Sequence, residues 1–371
     1  MAIDVKYGRS TSPDPGRAVA EIMEQFGREH PDGVIVFCSP DYELEALGQE
    51  LRRAFPCPVV GCTSSGQIGP DGFEHSGILG ISFHGGGIRL RPFIISPLTG
   101  YAEQTANIAE EIRQHCATHP ARHRFGLLLV DGLSMLEERL VASLYQGIGN
   151  IPIIGGSAGD NLRFERTHVY DGDGRFLSGA AVFALVESEA PITTFKVQHF
   201  YPSDIELVIT AADPELRIIH EMNGEPAAVA YADALGIGVE DLNPAIFSRH
   251  PLVLTFGKAP YVRSIQKAND DLSLSCYCAI EEGLIVTVGT AIDPLHTLET
   301  AFSELHQTLP DISVIIGFDC ILRRLEFEQE GIDGQIGSLM AAHRVFGFST
   351  YGEQFNGVHV NQTFTAVAIG V

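Results

Sequence analysis

Apolar residues in this chain gather into short runs, and the runs recur in a fixed context three times. The first copy opens with Val34-Ile35-Val36-Phe37, ending at Cys38. Leu44, Leu47, Leu51 and Phe55 follow at helical spacing, and Val59-Val60-Gly61 leads into the loop Cys62-Thr63-Ser64-Ser65-Gly66-Gln67. Ile78 to Phe83 closes the unit. The second copy runs from Leu127-Leu128-Leu129-Val130 and Asp131 through Leu136, Leu140 and Leu144 to Ile153-Ile154-Gly155, the loop Gly156 to Asp160, and a closing run Ala180 to Leu185. The third has Val314 to Phe318 ending at Asp319, a helix through Gln329, Val345-Phe346-Gly347, the loop Phe348 to Glu353, and a closing run Thr363 to Ile369. A strand, a helix and a second strand in that order predict a right-handed crossover and a parallel strand pair.

The glycine at the end of each second run predicts a sharp turn. The Ser/Thr residues after it then sit at the carboxyl ends of strands, where ligands bind in open α/β sheets. A lone loop of this kind is a turn held by hydroxyl-to-backbone hydrogen bonds. Three copies argue common architecture before common chemistry.

Between the second and third copies the pattern changes. Thr193 to Phe200 and Glu206 to Thr210 read as strands broken at Pro202-Ser203-Asp204, followed by a strand Ile218 to Met222 and a helix Ala227 to Leu235. His250 to Phe256, Tyr261 to Gln266, Leu272 to Ala279 and Leu284 to Thr290 read as a β-meander. Pro294 to Leu309 reads as a helix with Asp293 as N-cap. The fold class is α/β: two α/β domains, 1–225 and 226–371, built from repeated β-α-β units with additional antiparallel strands.

Composition narrows the partners. A formal charge of −23 repels phosphate backbones and anionic lipid, which sets aside nucleic acid and membrane surfaces. No apolar stretch approaches a membrane span, and the N-terminus lacks a signal pattern. Seven cysteines without zinc or disulfide-framework spacing indicate reduced thiols and a cytoplasmic location.

Several segments resemble the FIST family of sensory proteins, over nearly the whole chain. They are the Gly-Ser/Thr loops, the strand Phe176 to Val186, His250-Pro251-Leu252, Tyr261-Val262-Arg263-Ser264, Glu282-Gly283, and the ending from Thr350-Tyr351-Gly352-Glu353 to Asn361-Gln362-Thr363. The resemblance implies signal input by small ligands such as amino acids. With no room for an output domain, the chain is expected to act on a separate histidine kinase or similar protein. Arg263 to Gln266, Cys278 to Gly283 and Phe318 to Arg324 are similar to stand-alone members that bind haem and sense nitric oxide.

Haem requires an axial donor, an apolar slot and cations for its propionates. His250, ahead of Pro251-Leu252-Val253-Leu254, is the candidate iron ligand. Arg263, Arg323 and Arg324 are candidates for a propionate or an amino-acid carboxylate. Tyr351, Glu353 and Asn361 are expected to converge on the third loop and to suit a haem-free amino-acid sensor better. His359 reads as structural, and the His115/His119 pair as surface with no carboxylate nearby. Asp131 and Asp319, in the position of Cys38, are expected to cap the helices that follow them. Ser64, Ser157 and Ser349 do not sit in a nucleophile elbow, and no base accompanies Cys38 or Cys320, so no enzyme is expected. Two functions remain open: haem-based nitric oxide sensing and haem-free sensing of a small metabolite. Association into a homodimer is compatible with either.

Overall fold

The computed structural model describes residues 3–257 and 259–371. Each repeat proves longer than its apolar runs. The first unit contains β1 (Asp4–Ser10), α1 (Pro15–Phe26), β2 (Gly33–Cys38), α2 (Leu44–Ala54), β3 (Val59–Thr63), a hairpin of β4 (Gln67–Gly69) and β5 (Gly72–Glu74), and β6 (Ile78–His84). The second repeats that order with β7 (Ile88–Ile95), α3 (Tyr101–Thr118), β8 (His123–Val130), α4 (Glu137–Ile148), β9 (Ile153–Ser157), a hairpin of β10 (Val169–Tyr170) and β11 (Phe176–Leu177), and β12 (Ala181–Ser188). The third opens with β13 (Ile192–Gln198) and is then interrupted.

The interruption, residues 199–293, contains β14 (Phe200–Asp213), β15 (Ile218–Met222), β16 (Glu225–Pro226), α5 (Ala227–Leu235), α6 (Pro244–Arg249), β17 (Leu252–Phe256), β18 (Ala259–Arg263), β19 (Ile265–Ala268), β20 (Leu274–Cys276) and β21 (Ile285–Ala291). The third unit then resumes with α7 (Pro294–Thr308), β22 (Ile312–Cys320), α8 (Ile321–Glu330), α9 (Asp333–Ala342), β23 (Val345–Thr350), the hairpin β24 (Glu353–Phe355) and β25 (Val358–Val360), and β26 (Thr363–Gly370).

Each unit makes the same four-stranded core, in the orders β1-β6-β2-β3, β7-β12-β8-β9 and β13-β26-β22-β23. The crossover pairs β2-β3, β8-β9 and β22-β23 are parallel, as the pattern requires. The hairpins do not stay home. The first unit's β4 pairs with β23 of the third, the second unit's β10 pairs with β3 of the first, and the third unit's β24 pairs with β9 of the second. All three sheets are thereby completed by a neighbour's hairpin, and two of them draw strands from both sides of residue 225.

Alternation along the strands explains the layering. On β2, Ile35 and Phe37 face a central core shared with Leu127, Leu129, Ile316 and Phe318, while Val34 and Val36 face α1 and α2. α3 and α4 cover the second sheet, and α7 and α9 the third. Sheets buried on both faces need continuous apolar runs, which is why those runs stood out. Phe37 joins two units directly, its ring centroid 4.5 Å from that of Phe348 and 5.1 Å from that of Phe346. Helix starts follow the expected chemistry: the Asp14 side chain accepts from Arg17 N ahead of Pro15, and Asp293 accepts from Leu295 N and His296 N ahead of Pro294.

The repeated glycine is not a turn residue. Gly61, Gly155 and Gly347 lie inside β3, β9 and β23, in direct register with Val36, Leu128 and Gly317. A Cβ there would lie 2.3, 1.8 and 1.8 Å from the carbonyl oxygens of those partners. Close approach of two backbones, rather than chain reversal, fixes glycine at all three positions.

The inserted sheet curls strongly. Its order is β18-β17-β21-β14-β15-β20-β19, so its two edges are one continuous stretch interrupted only at Ser264. It wraps a core containing Tyr231 of α5, Phe247 of α6, Ile209, Leu252, Ile265 and Val286. Pro202 to Asp204 is not a break between strands but an irregularity within β14, between the pairs Pro202↔Gly289 and Glu206↔Thr287. His250 is not in a strand either: it caps the C-terminus of α6, and the strand begins at Leu252.

Gly155→Val is expected to destabilise the fold by roughly 2–4 kcal/mol, because the added side chain must displace the backbone of β8. Urea unfolding monitored by circular dichroism measures this. An unchanged midpoint would mean that the strands tolerate a side chain between them.

Candidate functional site

The three Ser/Thr loops meet at one end of the molecule and interlock. Ser65 N donates to Ser349 O at 3.2 Å, Ser157 N to Gly352 O at 2.8 Å, and Gly159 N to Thr63 O at 3.0 Å. Their hydroxyls are engaged as well: Ser64 donates to Cys38 O, and Gln354 Nε2 donates to Ser157 Oγ at 2.9 Å. The loops thus close the end of the shared core, and one open space lies to the side where the insertion docks.

That seam holds a cleft of about 210 Å³. Gly132, Leu133, Met135, Glu137 and Phe164 line it from the second unit, Tyr351 from the third, and Arg217, Gln266, Cys276 and Tyr277 from the insertion. Phe164 sits between two other rings, 4.8 Å from Tyr351 and 6.2 Å from Tyr277 by centroid. Its loop is held in a strained form: Asn161, Leu162 and Phe164 all have positive φ. Asp160 stabilises that form by accepting from the backbone N–H groups of Phe164, Glu165 and Arg166 and from the Tyr351 hydroxyl.

Arg217 latches the insertion to the second unit. Its Nη2 donates to Glu137 at 2.6 Å and Glu138 at 2.7 Å, and its Nη1 to Tyr277 O at 2.8 Å. Glu138 also accepts from Ala279 N at 2.7 Å. Burial pushes the Glu137 carboxyl up against the pull of Arg217. Cation and carboxylate therefore stand side by side on a wall that also carries the rings of Phe164, Tyr277 and Tyr351.

The residues singled out from sequence are dispersed around this seam. Tyr351 forms part of the cleft, but its hydroxyl is committed to Asp160 and to Leu162 N, which donates to it at 2.8 Å. Glu353 is buried among Thr350, which donates to it, and Thr363, whose hydroxyl donates at 2.7 Å. Burial raises its carboxyl to about 8. Asn361 is fully buried, and neither its Nδ2 nor its Oδ1 has a partner among the described residues. His359, two residues earlier, is held down to about 4 by burial, with Glu138 opposing and Arg217 and Arg263 adding to the depression.

Arg263 donates to Val262 O, and its Nε has no partner among the described residues. Arg323 is wholly enclosed: its guanidinium pairs with Asp319 at 2.8 Å and with His199 Nδ1 at 2.8 Å, while Glu326 holds the other nitrogen of that ring at 2.9 Å. Arg324 lies elsewhere, bonded to Glu328, His75 and Ser65 O.

Two expected caps prove to be something else. Asp131 accepts from Leu133 N at 3.0 Å, from the Thr167 hydroxyl and from Gly179 N at 2.5 Å, tying two loops together. Asp319 serves Arg323. His115 has a carboxylate after all, Glu187 at 3.1 Å, and its ring stacks on His119 at 4.4 Å.

His250 is half-buried, and burial followed by the charge of Arg249 lowers its pKa, leaving a neutral imidazole. That ring makes no hydrogen bond among the described residues, while the His250 carbonyl accepts from Tyr231 at 2.6 Å. A haem donor is thus available, but His250 lines none of five well-formed clefts, so the slot a macrocycle needs is not shaped around it. Among the described residues no group of three or more His, Cys, Asp or Glu side chains is placed to hold a metal ion. No described helix is long and apolar enough to cross a membrane.

Sequence reasoning missed Arg217, Glu137, Phe164 and Tyr277. Glu137 reads as an ordinary helix-start acid and Arg217 as a turn residue. Only the docking of the insertion brings them together.

A family model described as the FIST N domain matches residues 32–225, and one described as the FIST C domain matches residues 227–356. No curated protein matches the chain at a significant level.

The raised carboxyl of Glu353 gives a pH prediction. A carboxyl that binds its proton more tightly in the folded state loses stability as pH climbs from the unfolded value through the folded value near 8. Glu353→Gln should therefore match the wild type near pH 5 and exceed it by roughly 1–3 kcal/mol at pH 9. Thermal melts across that range measure it. Parallel curves would show that Glu353 ionises normally.

Proposed function

On the premise that the chain belongs to the FIST family, carrying both of its domains, we propose that it is a sensor whose ligand is an amino acid or a similar small zwitterion. The observation that carries this reading is the seam cleft, which presents Arg217 and Glu137 next to each other between aromatic rings. A zwitterion offers the opposite charges to that pair, and the rings of Tyr277, Phe164 and Tyr351 offer an apolar wall to its side chain. The cleft's volume of about 210 Å³ suits such a ligand.

Because the walls come from both the body and the insertion, ligand affinity depends on how the two are docked. A ligand that binds the docked form better shifts the population toward it. The resulting surface is read by a separate output partner, a histidine kinase or similar protein in the cytoplasm. The chain acts by binding and not by catalysis. In support, burial pushes the Cys38 and Cys320 thiols well above their ordinary value, which disfavours a thiolate nucleophile.

Screening amino acids by thermal shift at millimolar concentration tests the reading. Ligand at about a hundredfold its Kd adds about 2.7 kcal/mol of stability. One amino-acid class should raise the melting temperature, and Tyr277→Ala should abolish the rise. A flat response across all of them sinks the reading.

The second reading is a haem-based nitric oxide sensor, favoured by the neutral, unbonded imidazole of His250. In that reading His250 would hold the iron and Arg263 a propionate. The iron supplies the gas-binding chemistry. Protein produced with haem available would then show a Soret band that His250→Ala removes, whereas a colourless protein rules this reading out.

A further inference from the structure

The two helices that cover the third sheet, α7 and α9, each end on a histidine, and the two histidines meet. His306 lies in the last turn of α7, and His343 caps the C-terminus of α9. His306 Nε2 stands 3.0 Å from His343 Nδ1. Both rings line a cleft of about 490 Å³, together with Pro310, Asp311, Ile312 and Arg344. The cleft opens where β22 and β23 begin, at the opposite ends of these strands from the interlocked loops. It shares no lining residue with the seam cleft.

Each ring is fixed by something other than its partner. His306 Nδ1 lies 3.4 Å from Pro310 O, which only accepts, so that nitrogen carries the hydrogen and Nε2 presents a lone pair to His343. A carbonyl that holds one ring nitrogen and so frees the other as a donor is the usual support of a metal-binding histidine. The His343 ring stacks on the fully buried Phe302, 4.3 Å between centroids and 22° between planes. Burial first, and the charge of His306 second, lower the His343 pKa, which favours the neutral imidazole that a metal needs.

The spacing suits one ion. Two imidazoles in neighbouring positions on a metal, each at ~2.0–2.1 Å, stand roughly 2.9–3.4 Å apart. The observed 3.0 Å falls in that interval, so an ion on the cleft side can replace the hydrogen that the rings share, with a tilt of the two planes. Asp311 places a carboxylate on the same wall, and the guanidinium of Arg344 is turned to Ile312 O, to which it donates at 3.0 Å. A formal charge of −23 favours cations over the whole surface. The other histidine pair lacks this geometry. His115 and His119 lie face to face, 12° between planes, so their lone pairs run in near-parallel planes and do not meet, and Glu187 occupies His115 Nε2.

We infer that His306 and His343 form a binding site for a divalent late transition-metal ion of the zinc, nickel or copper class, bridging the ends of α7 and α9. The described residues contain no ready-made cluster of three such donors, so two histidines hold the ion and the cleft leaves its other positions to water or to a small ligand. The site does not depend on the sensor reading above, and the two can fail separately.

The test uses the full chain, stripped with chelator, and zinc chloride, with magnesium chloride as control. Diethyl pyrocarbonate modification, read by mass spectrometry of the histidine peptides, reports access to the ring nitrogens. Zinc should slow modification of His306 and His343 at least about tenfold, saturably, and magnesium, which prefers oxygen donors, should not. Titration calorimetry on a His119→Ala chain, from which the surface pair is removed, should show zinc binding. Adding His306→Ala or His343→Phe should weaken it at least about tenfold. His343→Phe keeps a ring stacked on Phe302 and removes only the donor.

No protection, equal protection by magnesium, or protection confined to His115 and His119 overturns the inference. So does zinc affinity that is unchanged in both His306→Ala and His343→Phe. The labelling measurement needs no variant, so a substituted chain that failed to fold would leave the test standing.

Discussion

Each β-α-β unit leaves the outer edge of its second strand without a partner of its own, and the rest of the structure depends on how that edge is covered. An open parallel-sheet edge is an aggregation hazard. Here β3, β9 and β23 are each covered by a hairpin from a different unit. The exchange runs in a closed circle, so no unit completes its own sheet. The shared core follows from the same arrangement, because three sheets tied at their edges must turn their second faces toward one another.

The position of the candidate site is a by-product of that circle. Where the hairpins leave their strands, the Ser/Thr loops are drawn together by backbone hydrogen bonds, and the hydroxyls of Ser64 and Ser157 are spent on Cys38 O and Gln354. The carboxyl ends of the strands are therefore sealed on the axis. One cleft opens beside them where the insertion meets them, walled in part by Arg217 and Tyr277. Strain in the Asn161 to Phe164 loop, held by Asp160, sets one aromatic wall of the cleft.

Much of the fold was legible because buried parallel strands write continuous apolar runs. Val34 to Phe37, Leu127 to Val130 and Val314 to Phe318 mark three equivalent strands, and their glycines mark three equivalent contacts. The mechanism of those glycines was not legible, since close backbone approach and a sharp turn call for the same residue. The opening strands were harder: β1 and β7 carry arginines and a lysine on partly exposed positions, which dilutes the signal. The site was the least legible part. Arg323 looked like a binding residue because its partners Asp319 and His199 are far apart in pattern, though not in space. Arg217 acquires meaning only from what its neighbours supply. A single sequence shows which charges exist but not which of them are paired.

The insertion leaves the body at His199 and returns at Ile292, and these two points are bonded to each other, Ile292 N to His199 O at 2.8 Å. The ring of His199 is in turn anchored inside the body by Glu326 and Arg323. Two strands crossing side by side resist stretching and bending in their plane, yet yield to twist. The arrangement is mechanically a torsion bar with one end clamped in a charged vice. A small rotation at the clamp would carry the far rim of the inserted sheet, at the end of the fourteen-residue β14, through a wider arc. A joint of this kind would let the inserted sheet turn against the body without the central core having to move.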